Sequence, residues 1–222
     1  MELTPRLKLA AQYCLPCKKI IDVGCDHAYL CLHLVGRGAE GAIASDIRPG
    51  PLAAAREHIA RCGMADRVRA VLCPGLEAFG PGDADTISIC GMGGEMIASI
   101  LEAAPWTAKG EHKLVLQPMT NGSRLRKWLH DNGYAIEREA LTREGQRLYV
   151  VMQAAGGKTD DCGAENHYLF TEKLVSDRLF PDFLEKLRQK YEKSRQGKAA
   201  GGLDTSEEDA VLKRLEEVAH GA

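Results

Sequence analysis

The chain has 222 residues, 45% of them hydrophobic and 27% charged, which fits one ordinary globular domain plus a smaller appendage and excludes a largely disordered chain. Lys and Arg number 29 against 31 Asp and Glu, for a formal charge of −2; this excludes nucleic-acid binding through bulk charge alone but leaves room for a local basic face. No apolar run reaches the roughly 18–20 residues of a membrane span, and Met1-Glu2-Leu3-Thr4-Pro5-Arg6 carries no signal-peptide pattern, so a cytoplasmic protein is expected.

In chain order, 19–23 is a short β-rich run ending at Gly24, and 28–36 is helical in composition. A second strand, 41–46, precedes an Ala-rich helix over 52–62, and a third strand, 68–73, runs into Pro74-Gly75. The fourth strand, 86–90, leads into flexible Gly91-Met92-Gly93-Gly94 and a helix over 95–103. A fifth strand, 113–117, stops at Pro118; a helix over 123–131 follows, with Leu125, Trp128 and Leu129 on one face. Such strand–helix alternation predicts an α/β fold with a parallel sheet covered on both faces. Runs 134–140 and 148–154, separated by seven residues, predict a terminal antiparallel hairpin. After a polar linker near 156–163 no strand signal remains. A short helix spans Leu169 to Asp177, and Pro181 opens an amphipathic helix carrying Phe183, Leu184, Leu187 and Tyr191, which is expected to break over 197–202. Thr205 and Glu208 predict a capping box ahead of a last stripe, Val211, Leu212, Leu215 and Val218. The pattern divides the chain at 1–155 and 164–222, the second part a helical hairpin or coiled coil.

Eight cysteines read as reduced thiols. Cys14-Leu15-Pro16-Cys17 is the only Cys-x-x-Cys pair, whereas structural zinc usually takes two. These two are read as incidental, near a helix end, and no metal is expected.

The chemistry gathers at strand ends. Asp22-Val23-Gly24-Cys25-Asp26-His27 closes the first strand, where glycine allows close ligand approach and the next helix offers free N–H groups. The G-x-G-x-x-G fingerprint is absent, which disfavours a nicotinamide oxidoreductase. A loop with two carboxylates repels pyrophosphate and suits a ligand bearing positive charge and hydroxyls, such as S-adenosylmethionine. Asp46, 22 residues beyond Gly24, stands where an acidic side chain accepts from ribose hydroxyls. Ile47, Gly75 and Leu76 are placed to border an adenine ring, and Cys90, Gly91 and Met92 to line the same edge. Asp26-His27-Ala28-Tyr29 sets a carboxylate, an imidazole and a phenol at the mouth of this site. Singly, each has a bland alternative: a helix cap, a surface histidine, a core tyrosine. Their clustering favours catalysis.

The runs Asp22-Val23-Gly24-Cys25-Asp26-His27-Ala28-Tyr29-Leu30, Ile89-Cys90-Gly91-Met92-Gly93-Gly94, Leu116-Gln117-Pro118 and Leu125-Arg126-Lys127-Trp128-Leu129 resemble the bacterial tRNA (adenine-N1) methyltransferases that modify adenine 22. The resemblance spans roughly 1–154, with a looser helical match beyond. It implies a Rossmann-like class I methyltransferase fold, S-adenosyl-L-methionine as donor, tRNA bound at the D-arm region as substrate, and a C-terminal coiled-coil domain that helps hold it. Cys25 and Asp46 replace the Ser-like and Glu residues common in the family, keeping size or charge. On this reading Asp26 accepts from the adenine's exocyclic amine, Tyr29 borders the base and His27 bonds base or backbone. Cofactor contacts fall to Asp22, Gly24, Cys25, Asp46, Ile47, Gly75, Leu76, Cys90, Gly91 and Met92. Substrate contacts fall to Arg6, Gly93, Gln117 and Arg124.

Residues 165–198 hold eight Lys or Arg against six acids, while 204–218 hold two against six, so the last helix is not expected to meet phosphates squarely. Competing readings are a methyltransferase of another RNA, a protein or a small molecule, and a non-catalytic tRNA-binding protein. The intact Asp26–Tyr29 cluster argues against the last, since a decayed site would shed costly buried polar groups first. A monomer and a homodimer both stay open.

Overall fold

Each predicted strand and helix forms, and the elements follow in the order α1 (Pro5–Cys14), β1 (Lys19–Val23), α2 (Tyr29–Gly36), β2 (Gly41–Asp46), α3 (Pro49–Arg61), β3 (Val68–Leu72), β4 (Thr86–Gly93), α4 (Gly94–Glu102), β5 (Lys113–Thr120), α5 (Gly122–Asp131), β6 (Tyr134–Glu144), β7 (Arg147–Gly156), α6 (Glu172–Val175), α7 (Phe180–Ala200) and α8 (Ser206–Gly221). In this computed structural model, which describes residues 2–221, the seven strands make one sheet in the order β3-β2-β1-β4-β5-β7-β6. All neighbours are parallel except β7, which runs antiparallel to both β5 and β6. Successive residues of β1 face opposite layers. Ile20 is buried with Leu30, Leu34 and Ile59 of α2 and α3, and Ile21 with Ile97, Leu101 and Leu125 of α4 and α5. Val23 stands level with Ser45 on one side and Ile89 on the other. The first and second strands therefore end within a residue of each other while β4 runs on past them to Gly93, and the strand order reverses between β1 and β4, which opens a crevice there.

Several boundaries differ from the sequence reading, each for a physical reason. Only the end of α1 was anticipated; its start is set by Thr4, whose hydroxyl accepts Leu7 N–H at 3.4 Å, and by Pro5 in the first turn. The expected flexible Gly91–Gly94 stretch is instead strand as far as Gly93, because β4 and β5 keep pairing through Met92–Pro118 and Gly93–Thr120 after a register shift. The seven-residue hairpin loop shrinks to a two-residue turn. Leu141 to Glu144 pair with Arg147 to Val150, and Gly145 takes the left-handed conformation (φ 58°) the turn requires. The polar residues there hid the strand period.

In the helical part α7 ends at Ala200, within the expected 197–202 break, but does not yield at its first glycine, Gly197. A glycine inside a helix costs about 1 kcal/mol, but flanking residues tie α7 to α8: Arg195 Nε donates to Asp209 at 2.5 Å and Lys198 Nζ to Glu208 at 2.8 Å. The capping box also does not form. Asp204 accepts Ser206 N–H at 3.0 Å, Thr205 donates to Asp209 at 3.0 Å, and Glu208 accepts Ser194 Oγ at 2.9 Å. Glu208 thus serves the pairing of α7 with α8, which occurs within one chain.

A third apolar cluster joins this extension to the sheet, with Leu141 of β6 among Phe170, Leu174, Phe180, Val211 and Leu215. Beside it lies a buried ion pair. Arg126 of α5 donates to Glu139 Oε1 of β6 through Nε (2.9 Å) and Nη2 (2.5 Å), with the two side chains 2% and 0% exposed. Glu139 Oε2 accepts Thr171 N–H at 3.1 Å and Thr171 Oγ1 at 2.9 Å, and Arg126 Nη1 reaches Tyr168 O at 3.2 Å.

Candidate active site

At the carboxyl edge a cavity of about 480 Å³ lies between the ends of β1, β2, β3 and β4 and the side of α4. The turn after β1 is pinned by Gly24 and Cys25 N–H groups donating to Ser45 O at 2.8 and 2.9 Å. Gly24 sits at φ 75°, and a Cβ there would overlap Met92 Cε. A side chain there is opposed by backbone strain, while the Met92 methyl, the far end of a flexible side chain, would have to shift. Of the ten proposed cofactor residues, Gly24, Asp46, Ile47, Gly75, Leu76, Cys90, Gly91 and Met92 line this cavity. Asp22 and Cys25 do not; they are buried behind its rim.

The Asp46 carboxylate is buried, accepts Arg48 N–H through Oδ1 at 2.9 Å, and forms part of the cavity wall. Ile47 is 64% exposed at the mouth. Ile100 of α4, which the sequence reading passed over, packs beneath Gly75. Burial pushes the Asp22 carboxyl up to about 7; a hydrogen bond from Ser88 opposes this and the nearby Asp46 charge adds to it. Burial, reinforced by Asp22, likewise pushes the Cys25 and Cys90 thiols up to about 12, so both stay protonated and non-nucleophilic at neutral pH. Burial also raises the Cys14 and Cys17 thiols. Among the described residues no group of three or more His, Cys, Asp or Glu is arranged to hold a metal.

Beside the cavity the chain takes an unusual path. Asp26 and Ala28 both adopt positive φ (49° and 60°), conformations that non-glycine residues rarely hold. Asp26 does not cap α2: the helix is preceded by Ala28, and no side chain bonds to its first turn. The carboxylate faces solvent instead, 66% exposed, with His27 Nε2 at 3.8 Å and the His27 side chain 45% exposed. The cluster is therefore not the set of buried polar groups the sequence argument assumed. The Tyr29 ring lies 5.5 Å from that of His27 and, edge-on, 4.9 Å from that of His58. His58 Nδ1 is 2.9 Å from His27 O, so a buried histidine of α3 braces the loop. His58 was missed, although its place beside Leu52, Ala55 and Ile59 marks it as part of the buried stripe.

The four proposed substrate residues separate into three settings. Gln117, wholly buried, accepts from Arg6 Nη1 at 2.8 Å and from Gly91 N–H at 3.1 Å through one oxygen, Oε1. Arg6 lies 3.8 Å from Glu144 and 5.8 Å from the centre of the Tyr149 ring, so α1 is clamped across the edge. Gly93 precedes α4. Arg124 stands apart on α5, paired with Glu95.

Comparison with known proteins points one way. The sequence profile of a family described as "Methyltransferase domain" matches residues 3–152. The tRNA (adenine(22)-N(1))-methyltransferase of Bacillus subtilis (strain 168) is 36% identical over 161 residues, covering 72% of this chain and 68% of the relative. The crystal structure of the B. subtilis m1A22 tRNA methyltransferase TrmK superposes with a TM-score of 0.79 at 31% identity, covering 98% of both chains. A Streptococcus pneumoniae protein crystallised with S-adenosyl-L-methionine superposes at 0.82 with 30% identity, covering 98% of this chain and 99% of its own.

Proposed function

The chain belongs to the tRNA (adenine(22)-N1)-methyltransferase family, and from that premise we propose how its own residues bring about methyl transfer from S-adenosyl-L-methionine to N1 of adenine 22 in tRNA. When bound, the cofactor supplies a methyl group activated by a sulfonium charge. The cavity suits it: a buried carboxylate in the wall at Asp46, a second at Asp22 behind the rim, and no Cβ at Gly24. Asp46 accepts from the ribose hydroxyls, and Ile47 and Leu76 flank the adenine ring with Gly75. Ionised Asp22 faces the positive end, behind Cys25 and Cys90. Gly91 and Met92 close the side next to the target base.

Adenine N1 carries an in-plane lone pair, so no base need remove a proton before attack. The protein's task is alignment, together with compensation of the positive charge that arrives on the ring. Asp26 accepts from the exocyclic amine and counters that charge, which its exposed position permits. His27 bonds the base or backbone, and Tyr29 borders the ring. Gly93 gives the base room, while Arg6, set by Gln117, and Arg124 meet the surrounding RNA.

The tRNA docks by its D-arm region, with α7 beside it. Lys173, Arg188, Arg195 and Lys198 are paired to carboxylates, whereas among the described residues Arg178, Lys190 and Lys193 form no ion pair and remain for phosphates. Pairing of α7 with α8 inside one chain supports a monomer as the working unit. Cytoplasmic action fits the substrate, and among the described residues no helix is long and apolar enough to cross a membrane.

The observation that carries this reading is the exposed Asp26–His27–Tyr29 cluster next to an acid-lined crevice. Asp26→Asn keeps a residue that tolerates positive φ and removes the charge. Turnover on tRNA is expected to fall about 100-fold or more, with calorimetric affinity for S-adenosyl-L-methionine unchanged. Equal loss of both would reassign Asp26 to the cofactor.

A further inference from the structure

Among the described residues six large apolar side chains are exposed, and five of them, Tyr29, Ile47, Leu72, Met96 and Met119, lie at the carboxyl edge of the sheet. Exposed apolar side chains gathered at one edge are a reason to look there for an interaction surface. Ile47 and Met96 line the cofactor cavity, and Tyr29 belongs to the catalytic cluster. Leu72 closes β3 at the far end of the edge. Met119 has no role so far. It is 41% exposed near the end of β5. Pro118 pairs with Met92 and Thr120 with Gly93, so Met119 stands opposite the Met92–Gly93 step, where cavity gives way to substrate edge.

Its setting is built. Gln117 Nε2 is 3.7 Å from the Met119 sulfur, while Oε1 of the same amide holds Arg6 and Gly91. One buried amide thus indexes Met119 to the active-site frame. On its other side Met119 lines a cleft of about 190 Å³ between the β5–α5 loop, Tyr149 and Lys190 of α7. Met119 thus stands between the catalytic edge and a cation-bearing cleft.

Adenine N1 lies on the pairing edge, and a base in folded RNA is stacked. Methylation therefore requires the adenine to leave the helix, and enzymes that do this must offset the lost stacking. Flexible apolar side chains, methionine among them, serve as wedges between bases. We propose that Met119 is that wedge: it enters the gap vacated by the adenine and holds the base in the exposed position. It is a positioning residue, outside the bond-making step. The proposal rests on the tRNA adenine-22 reading.

The test uses full-length protein and tRNA carrying 2-aminopurine at position 22, whose fluorescence rises on unstacking. Wild-type protein and Met119→Leu are expected to raise it alike, and Met119→Ala to give less than about half that rise. On ordinary tRNA, kcat of Met119→Ala should fall about tenfold, the equivalent of one stacking contact. It should recover on tRNA with an abasic residue opposite position 22, where unstacking is cheap. Calorimetric affinity for S-adenosyl-L-methionine should not change. An unchanged fluorescence rise, or an equal loss of turnover on both tRNAs, would overturn the wedge while wild-type turnover still upheld the reading it rests on. Failure of the wild type to methylate either tRNA would remove both.

Discussion

Two carboxylates of this molecule show opposite uses of one functional group. Asp26 stands in solvent on a left-handed backbone position, with a histidine nitrogen 3.8 Å away. Glu139 is sealed in the seam between the sheet and the helical extension, and both its oxygens are occupied by Arg126 and Thr171. The first is costly in backbone conformation and available for chemistry. The second is saturated and chemically silent, but it fixes where the extension sits. On the proposed reading, function lies with the group whose hydrogen-bonding capacity is unspent.

Substitution separates the two most sharply. Glu139→Ala leaves the Arg126 guanidinium buried without its partner, and stability should fall by about 3–5 kcal/mol, read as a lower midpoint in thermal or urea unfolding. Asp26→Asn should change stability by no more than about 0.5 kcal/mol. If the two unfold alike, the contrast fails.

Gly24→Ala probes the strained turn itself. With φ at 75°, the added methyl should cost about 1–3 kcal/mol in backbone strain, appearing as roughly tenfold or weaker cofactor affinity by calorimetry. Unchanged affinity would show that the turn does not shape the cavity.

Asp22 sharpens the comparison through pH. Its folded pKa, about 7, lies above the ordinary 3.8, so the unliganded fold binds a proton that the unfolded chain has released. This group's contribution therefore favours the fold at low pH and declines as pH rises from about 4 through 7. A positively charged ligand prefers the ionised form, so cofactor affinity should fall as pH drops below about 7 and level off above it. Asp22→Asn should flatten that profile; a flat wild-type profile would remove Asp22 from the cofactor's surroundings.

The smallest effect belongs to Lys190. Losing one phosphate contact should reduce the slope of log tRNA affinity against log salt by roughly 1, with the slope unchanged if α7 does not meet the RNA.

The sequence made the sheet legible because strands such as Lys19–Val23 and Gly41–Asp46 are short apolar runs whose glycine-bearing turns all fall at one edge. For the same reason eight of ten proposed cofactor positions line one cavity. Features set by distant partners were not legible. Glu208 has the spacing of a capping residue yet turns to Lys198 and Ser194 on the neighbouring helix. Gly197 has the propensity to break a helix, yet tertiary pairing carries α7 past it, and the expected break falls later, after Ala200. Gln117 was picked out as a substrate contact, but its amide organises Arg6, Gly91 and Met119, residues that come together only once α1 crosses the sheet edge. The exposure of Asp26 likewise follows from two positive φ angles that no residue pattern announces.

The most direct test of the whole account is methyl incorporation from labelled S-adenosyl-L-methionine into two transcribed tRNAs that differ only in having adenine or guanine at position 22, followed by nucleoside analysis. The account predicts 1-methyladenosine in the first and no label in the second. Label of equal extent in both, or in neither, would contradict it.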